Sequence, residues 1–130
     1  MMSNGFAIRI MSKAEAAARE KKVRREWKAA CRSVLSNDAE LGDKLLAFRD
    51  HPYLPLIKRK LPPPPRPGFL RGESRYFKAL DKLRDDSIKL WAERELGLSA
   101  SKFERVYQAA ILRRRRRNKE RERASSGKRS

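Results

Sequence analysis

Residues 92–117 read AERELGLSASKFERVYQAAILRRRRR, a short turn that opens an amphipathic helix and runs straight into five arginines. Gly97 is placed to be the left-handed residue that ends one helix, and Leu98 to turn back into a core. Ser101 followed by Glu104 predicts a capping box for the next helix. Phe103, Val106, Tyr107, Ala110 and Ile111 then recur at i, i+3, i+4, i+7 and i+8, the spacing of one buried helical stripe. The stretch predicts a helix, a tight turn and a second helix, and the rest of the chain supports the same all-α reading.

Upstream, Ser74 can cap a long helix reaching about Leu96. Phe77, Leu80, Leu83, Ile88, Leu90 and Trp91 give it an apolar face broad enough to be covered by more than one neighbour. Before it lies HPYLPLIKRKLPPPPRPGFLRG, residues 51–72. Its prolines favour polyproline II, a stiff extended form without internal hydrogen bonds. Arg59, Pro62 and Pro65 fit an R-x-x-P-x-x-P ligand pattern, which arises often in proline-rich linkers.

The first fifty residues carry two further helices. Ser12 and Glu15 make a capping box for a helix from Lys13 to about Leu35, with Val23, Trp27, Ala30, Cys31, Val34 and Leu35 on one stripe. Asn37, with Glu40 three residues on, caps a second helix that stops near Asp50 because Pro52 and Pro55 disfavour helical geometry before them. Leu41, Leu45 and Phe48 would fold it back on the first as a hairpin. At the start, Phe6, Ile8 and Ile10 alternate with Ala7 and Arg9, which suits a short strand or arm. The predicted organisation is an N-terminal arm and helical hairpin (1–50), a Pro-rich extended linker (51–72), a C-terminal helical unit (73–112) and a basic tail (113–130) partly disordered in the free protein, from Asn118 onward.

Charge narrows the function. The 130 residues hold 34 basic and 16 acidic side chains, a net charge of +18, so polyanions are the favoured partners. Residues 113–130 alone carry ten bases and two acids. A single cysteine, Cys31, rules out an intrachain disulfide and a thiolate metal cluster, and reads as a small apolar residue. His51 is the sole histidine and no metal site is expected. No cofactor is implied, and the chain has no P-loop, H-E-x-x-H, C-x-x-C or nucleophile elbow, so no catalytic residue is expected. Without a signal peptide or a run of about 20 apolar residues, the expected location is the cytoplasm, or the nucleus in a eukaryote, with no membrane partner.

The turn carries a resemblance. Leu96, Gly97, Leu98, Ser99, Phe103, Arg105 and Val106 resemble the turn and second helix of helix-turn-helix DNA-binding proteins; Glu93 stands where that family has a small residue. Gly-Leu-Ser-x-Ser is also similar to the turn of ribbon-helix-helix proteins and plasmid mobilisation accessory factors, though the only candidate strand lies far upstream. Either likeness spans about thirty residues. It implies that Ser99, Ser101, Lys102 and Arg105 would face nucleic acid, Arg105 suiting guanine and Lys102 phosphate.

Arg113, Arg114, Arg115, Arg116 and Arg117 go right round a helix at about 100° per residue. With Lys119 they form a charged collar suited to phosphates on several sides. Engaging about six phosphates would give a salt slope of roughly −5 on duplex DNA. Arg19, Lys22, Arg25, Lys28 and Arg32 are a secondary basic face, equally readable as solvated or phosphate-facing. Two functions remain open: a DNA-binding module, or a structural subunit of a ribonucleoprotein that packs on protein neighbours and covers RNA backbone. A homodimer or a larger protein–nucleic acid assembly is compatible with either.

Overall fold

The computed structural model describes residues 12–67 and 74–127. These contain four helices and no strand: α1 (Lys13–Arg32), α2 (Asp38–Arg49), α3 (Arg75–Leu96) and α4 (Ala100–Gly127). The all-α expectation therefore holds among the described residues. The proposed strand at residues 6–10 lies outside them.

Side-chain caps set the helix starts. Ser12 Oγ accepts from the Glu15 amide at 3.1 Å, Asn37 Oδ1 from Glu40 at 3.2 Å and Ser74 Oγ from Phe77 at 3.5 Å, each satisfying an amide that the helix itself leaves open. α1 stops at Arg32, three residues short of the expected end, because the Val34 and Leu35 amides close tighter turns onto Cys31 and Arg32. At the α3 end, Gly97 adopts φ +67°, and the amides of Gly97 and Leu98 both turn onto the Ala92 carbonyl. The cap of α4 is Ser99, whose Oγ accepts from the Lys102 amide at 3.2 Å, and not the expected Ser101. Starting the helix two residues earlier buries Leu98 while keeping the turn to three residues.

One core forms between the helices. Cys31 from α1, Leu41, Leu45 and Phe48 from α2, Ile88 and Ala92 from α3, and Phe103, Val106 and Ala110 from α4 are all essentially inaccessible to solvent. Phe48 stacks on Trp27 with centroids 5.0 Å apart and meets the edge of Trp91 at 4.7 Å, so one aromatic ring ties three helices. The same core takes Leu54 from the extended segment. That segment lies along α3: the Ile57 amide donates to Ser87 Oγ at 3.0 Å, and Arg59 pairs with Asp86 at 2.9 Å.

Gly42 allows a close approach of α2 and α4. A Cβ there would collide with the Val106 carbonyl oxygen and crowd Ala110. α2 and α4 consequently pack backbone to backbone, and α4 is held over the whole length of α2.

Candidate nucleic-acid interface

The direction of each helix decides where its basic residues end up. Contacts between α2 and α4 keep a nearly constant offset in sequence: Lys102 Nζ reaches the Leu35 carbonyl, Arg105 pairs with Asp38, and Arg114 pairs with Asp50. The two helices are therefore parallel. α1 runs the other way, with Trp27 on Phe48 and Arg24 Nε donating to the Tyr53 carbonyl at 2.9 Å. α3 and α4 fold back along one another, through Asp85 with Tyr107 and Lys89 with Glu104.

The arginine run belongs to α4, which runs as helix through Gly127. Continuity follows from the α2 carboxylates, which hold one side of the run. Arg113 donates to the Ala39 carbonyl at 2.9 Å and to Asp43 at 3.1 Å, and Arg114 reaches Asp50 at 3.1 Å. Arg117 lies 4.0 Å from Asp43. Burial alone would push the Asp50 carboxyl up, but hydrogen bonds from Arg49 and Arg114 outweigh it and hold the group below the usual carboxylate range.

The five arginines are thus not equivalent. Arg115 and Arg116 are exposed and have no partner among the described residues, and the same is true of Lys119, Arg121 and Arg123 further along. Leu112, half exposed at 51%, lies beside Arg115, Arg116 and Lys119.

The residues suggested by the turn resemblance lie about fourteen residues, roughly 20 Å, nearer the start of α4. Ser99 and Ser101 are exposed, but the Ser99 hydroxyl is engaged as the cap. Lys102 is directed to the α1–α2 turn, and Arg105 sits in an exposed pair with Asp38 at 3.3 Å. An exposed pair of this kind is weak and exchanges readily for a phosphate.

On α1, Arg19, Lys22 and Arg25 are exposed without partners among the described residues. Lys28 and Arg32 instead turn to α3, through the Glu95 carboxylate at 2.9 Å and the Glu95 carbonyl at 3.4 Å. Lys21, Arg121 and Arg123, not among the residues the sequence singles out, are exposed as well. Asp43 and Asp50, seven residues apart, are the sequence signal for an acidic stripe that claims Arg113 and Arg114.

Among the described residues there is no group of three or more His, Cys, Asp or Glu side chains able to hold a metal ion, and no helix is long and apolar enough to cross a membrane. The chain matches no protein-family model, and comparison with curated proteins and with solved structures gives no significant match.

Proposed function

We propose that the protein is a non-enzymatic nucleic-acid-binding protein, most directly a binder of DNA, which docks through the start of α4 and takes its affinity from the outer side of that helix. The observation that carries this is the division of the arginine run. Arg113 and Arg114 are spent on α2, while Arg115, Arg116 and Lys119 stand exposed with no acid partner among the described residues. Unpaired bases on a rigid helix present fixed positive charge, and phosphate is the ligand that releases counterions on meeting it.

The reading is tested by titrating a fluorescent 20-base-pair duplex with the full chain and with the variant Arg115→Ala/Arg116→Ala/Lys119→Ala over a salt series. Loss of three phosphate contacts lowers the magnitude of the log–log salt slope by about 2.7. An unchanged slope would remove the outer face of α4 from the interface. A preference of the intact chain for structured RNA over duplex DNA would move the reading to a ribonucleoprotein subunit.

A further inference from the structure

The directions of α1 and α4 have a joint consequence. α1 is antiparallel to α2 and last touches the bundle near Tyr53, through Arg24; α4 is parallel to α2 and last pairs with it at Asp50 through Arg114, apart from the longer Arg117 contact. Residues 13–23 and residues 115–127 consequently leave the bundle at the same end, the end where α2 finishes. At 1.5 Å per residue these projections are about 16 and 20 Å long.

The two projections are alike in charge. Residues 13–25 contain six bases and two acids, and so do residues 115–127. Lys13, Arg19, Lys21, Lys22 and Arg25 on the first, and Arg115, Arg116, Lys119, Arg121 and Arg123 on the second, have no acid partner among the described residues. Elsewhere in the bundle α2 answers Arg105, Arg113 and Arg114 with Asp38, Asp43 and Asp50, and α3 answers Arg49 and Arg59 with Asp81, Asp85 and Asp86, while Lys44, Lys58, Lys60, Lys78, Lys82 and Arg94 have no acid partner among the described residues. Basic side chains are nonetheless densest on the two arms, each with a net +4 over thirteen residues.

Their spacing follows from the packing. α2 and α3 touch each other and both touch α1 and α4, whereas α1 and α4 do not touch. They are opposite corners of the bundle. With neighbouring axes about 8–10 Å apart, the arms start roughly 15 Å from each other. A duplex offers two phosphate rows bordering a major groove about 12 Å wide, so each arm can take one row.

We infer that α1 and α4 form a two-armed grip for a single nucleic-acid duplex, each arm engaging the backbone of one strand. This rests on the nucleic-acid reading above and adds α1 to the interface, with Lys21, Lys22 and Arg25 as phosphate-contacting residues. The arms give affinity and orientation, not base recognition, since phosphate contacts carry no direct sequence information.

The test is the salt dependence of binding to a 20-base-pair DNA duplex, measured with the full chain in five forms: unaltered, Lys21→Ala/Lys22→Ala/Arg25→Ala, Arg115→Ala/Arg116→Ala/Lys119→Ala, these two arm variants combined, and Lys58→Ala/Lys60→Ala/Arg94→Ala. The last removes the same charge from the flank of α3, and alanine preserves the helices, which circular dichroism verifies. Each arm variant is expected to lower the slope by about 2.7, and the combined six-residue variant by about twice that, with the flank variant close to the unaltered chain. If only the α4 variant lowers the slope, the grip is overturned while the nucleic-acid reading stands. Equal loss in the flank variant also overturns it, since the effect would then be net charge alone. Absence of duplex binding by the unaltered chain overturns both.

Discussion

The Tyr107 hydroxyl donates to Asp85 Oδ1 at 2.6 Å, the same oxygen that takes Arg49 Nε at 3.0 Å, so one carboxylate joins α2, α3 and α4. Arg49 is engaged further by Asp50 at 2.7 Å and by the Asp81 carbonyl at 3.1 Å. Burial of the ring, and then the hydrogen bond and negative charge of Asp85, raise the Tyr107 pKa above the ordinary phenol value. The folded state therefore holds this proton more tightly than the unfolded chain, a contribution to stability that is complete below about pH 10 and declines as pH rises through the folded value. Tyr107→Phe should cost about 1.5 kcal/mol at neutral pH, at the low end for a bond to a charged group because Asp85 remains partly hydrated. Urea denaturation at pH 8 and pH 11 checks this: the loss of stability between the two should be smaller in the variant.

Gly42 and Gly97 should respond to alanine for different reasons. A helical glycine ordinarily gains about 0.5–1 kcal/mol on becoming alanine. At Gly42 the new methyl meets the Val106 carbonyl, a backbone atom that cannot turn aside. Gly42→Ala should instead destabilise by about 1–3 kcal/mol as α4 is pushed off α2. Gly97 has open space around its Cβ position but φ +67°, so Gly97→Ala should cost about 1–2 kcal/mol through backbone strain alone. Thermal denaturation separates the two, since Gly97→Asn should recover part of the loss while no side chain at residue 42 restores stability.

Cys31 is fully enclosed by the core, and burial raises its thiol pKa to about 11, with nearby Lys44 pulling the other way. A raised pKa means stability that is present below about pH 9 and lost as pH climbs through 11. The upward shift corresponds to roughly 2–3 kcal/mol when complete. Cys31→Ala should therefore show a smaller fall in stability between pH 8.5 and 11 than the unaltered chain. The thiol should also react with an aromatic disulfide reagent only as fast as the bundle opens, so that mild urea accelerates the reaction steeply.

Much of the helix layout could be read from local chemistry. Ser12, Asn37, Ser74 and Gly97 act on amides and carbonyls within a few residues, and Leu41, Leu45 and Phe48 repeat at helical spacing, so their positions needed no tertiary knowledge. Ser99 and Ser101 are both capable caps by sequence, and the structure uses Ser99, with Leu98 beside it buried in the core. The candidate interface was less legible for a stronger reason. Five arginines in a row have no internal periodicity, and their division depends on Asp43 and Asp50, some seventy residues away in sequence. The shared direction of the two basic arms likewise exists only once α1 and α4 are known to flank α2 in opposite senses.

That division gives the sharpest contrast available in the molecule. Arg113 and Arg114 bond to α2 and its cap, while Arg115 and Arg116, the next residues along, have no acid partner among the described residues. Arg113→Ala/Arg114→Ala should lower folding stability by about 1 kcal/mol, the small total expected of two partly exposed pairs. It should also make the stability fall less on acidification. Without the Arg114 hydrogen bond the Asp50 carboxyl is less depressed, and a depressed carboxyl stabilises above its unfolded pKa and loses that contribution as pH falls through its folded one. Arg115→Ala/Arg116→Ala should leave the denaturation midpoint unchanged and reduce the salt slope for duplex DNA by about 1.8. Denaturation and binding measured on both variants would reverse the assignment if the inner pair controlled the slope and the outer pair the midpoint.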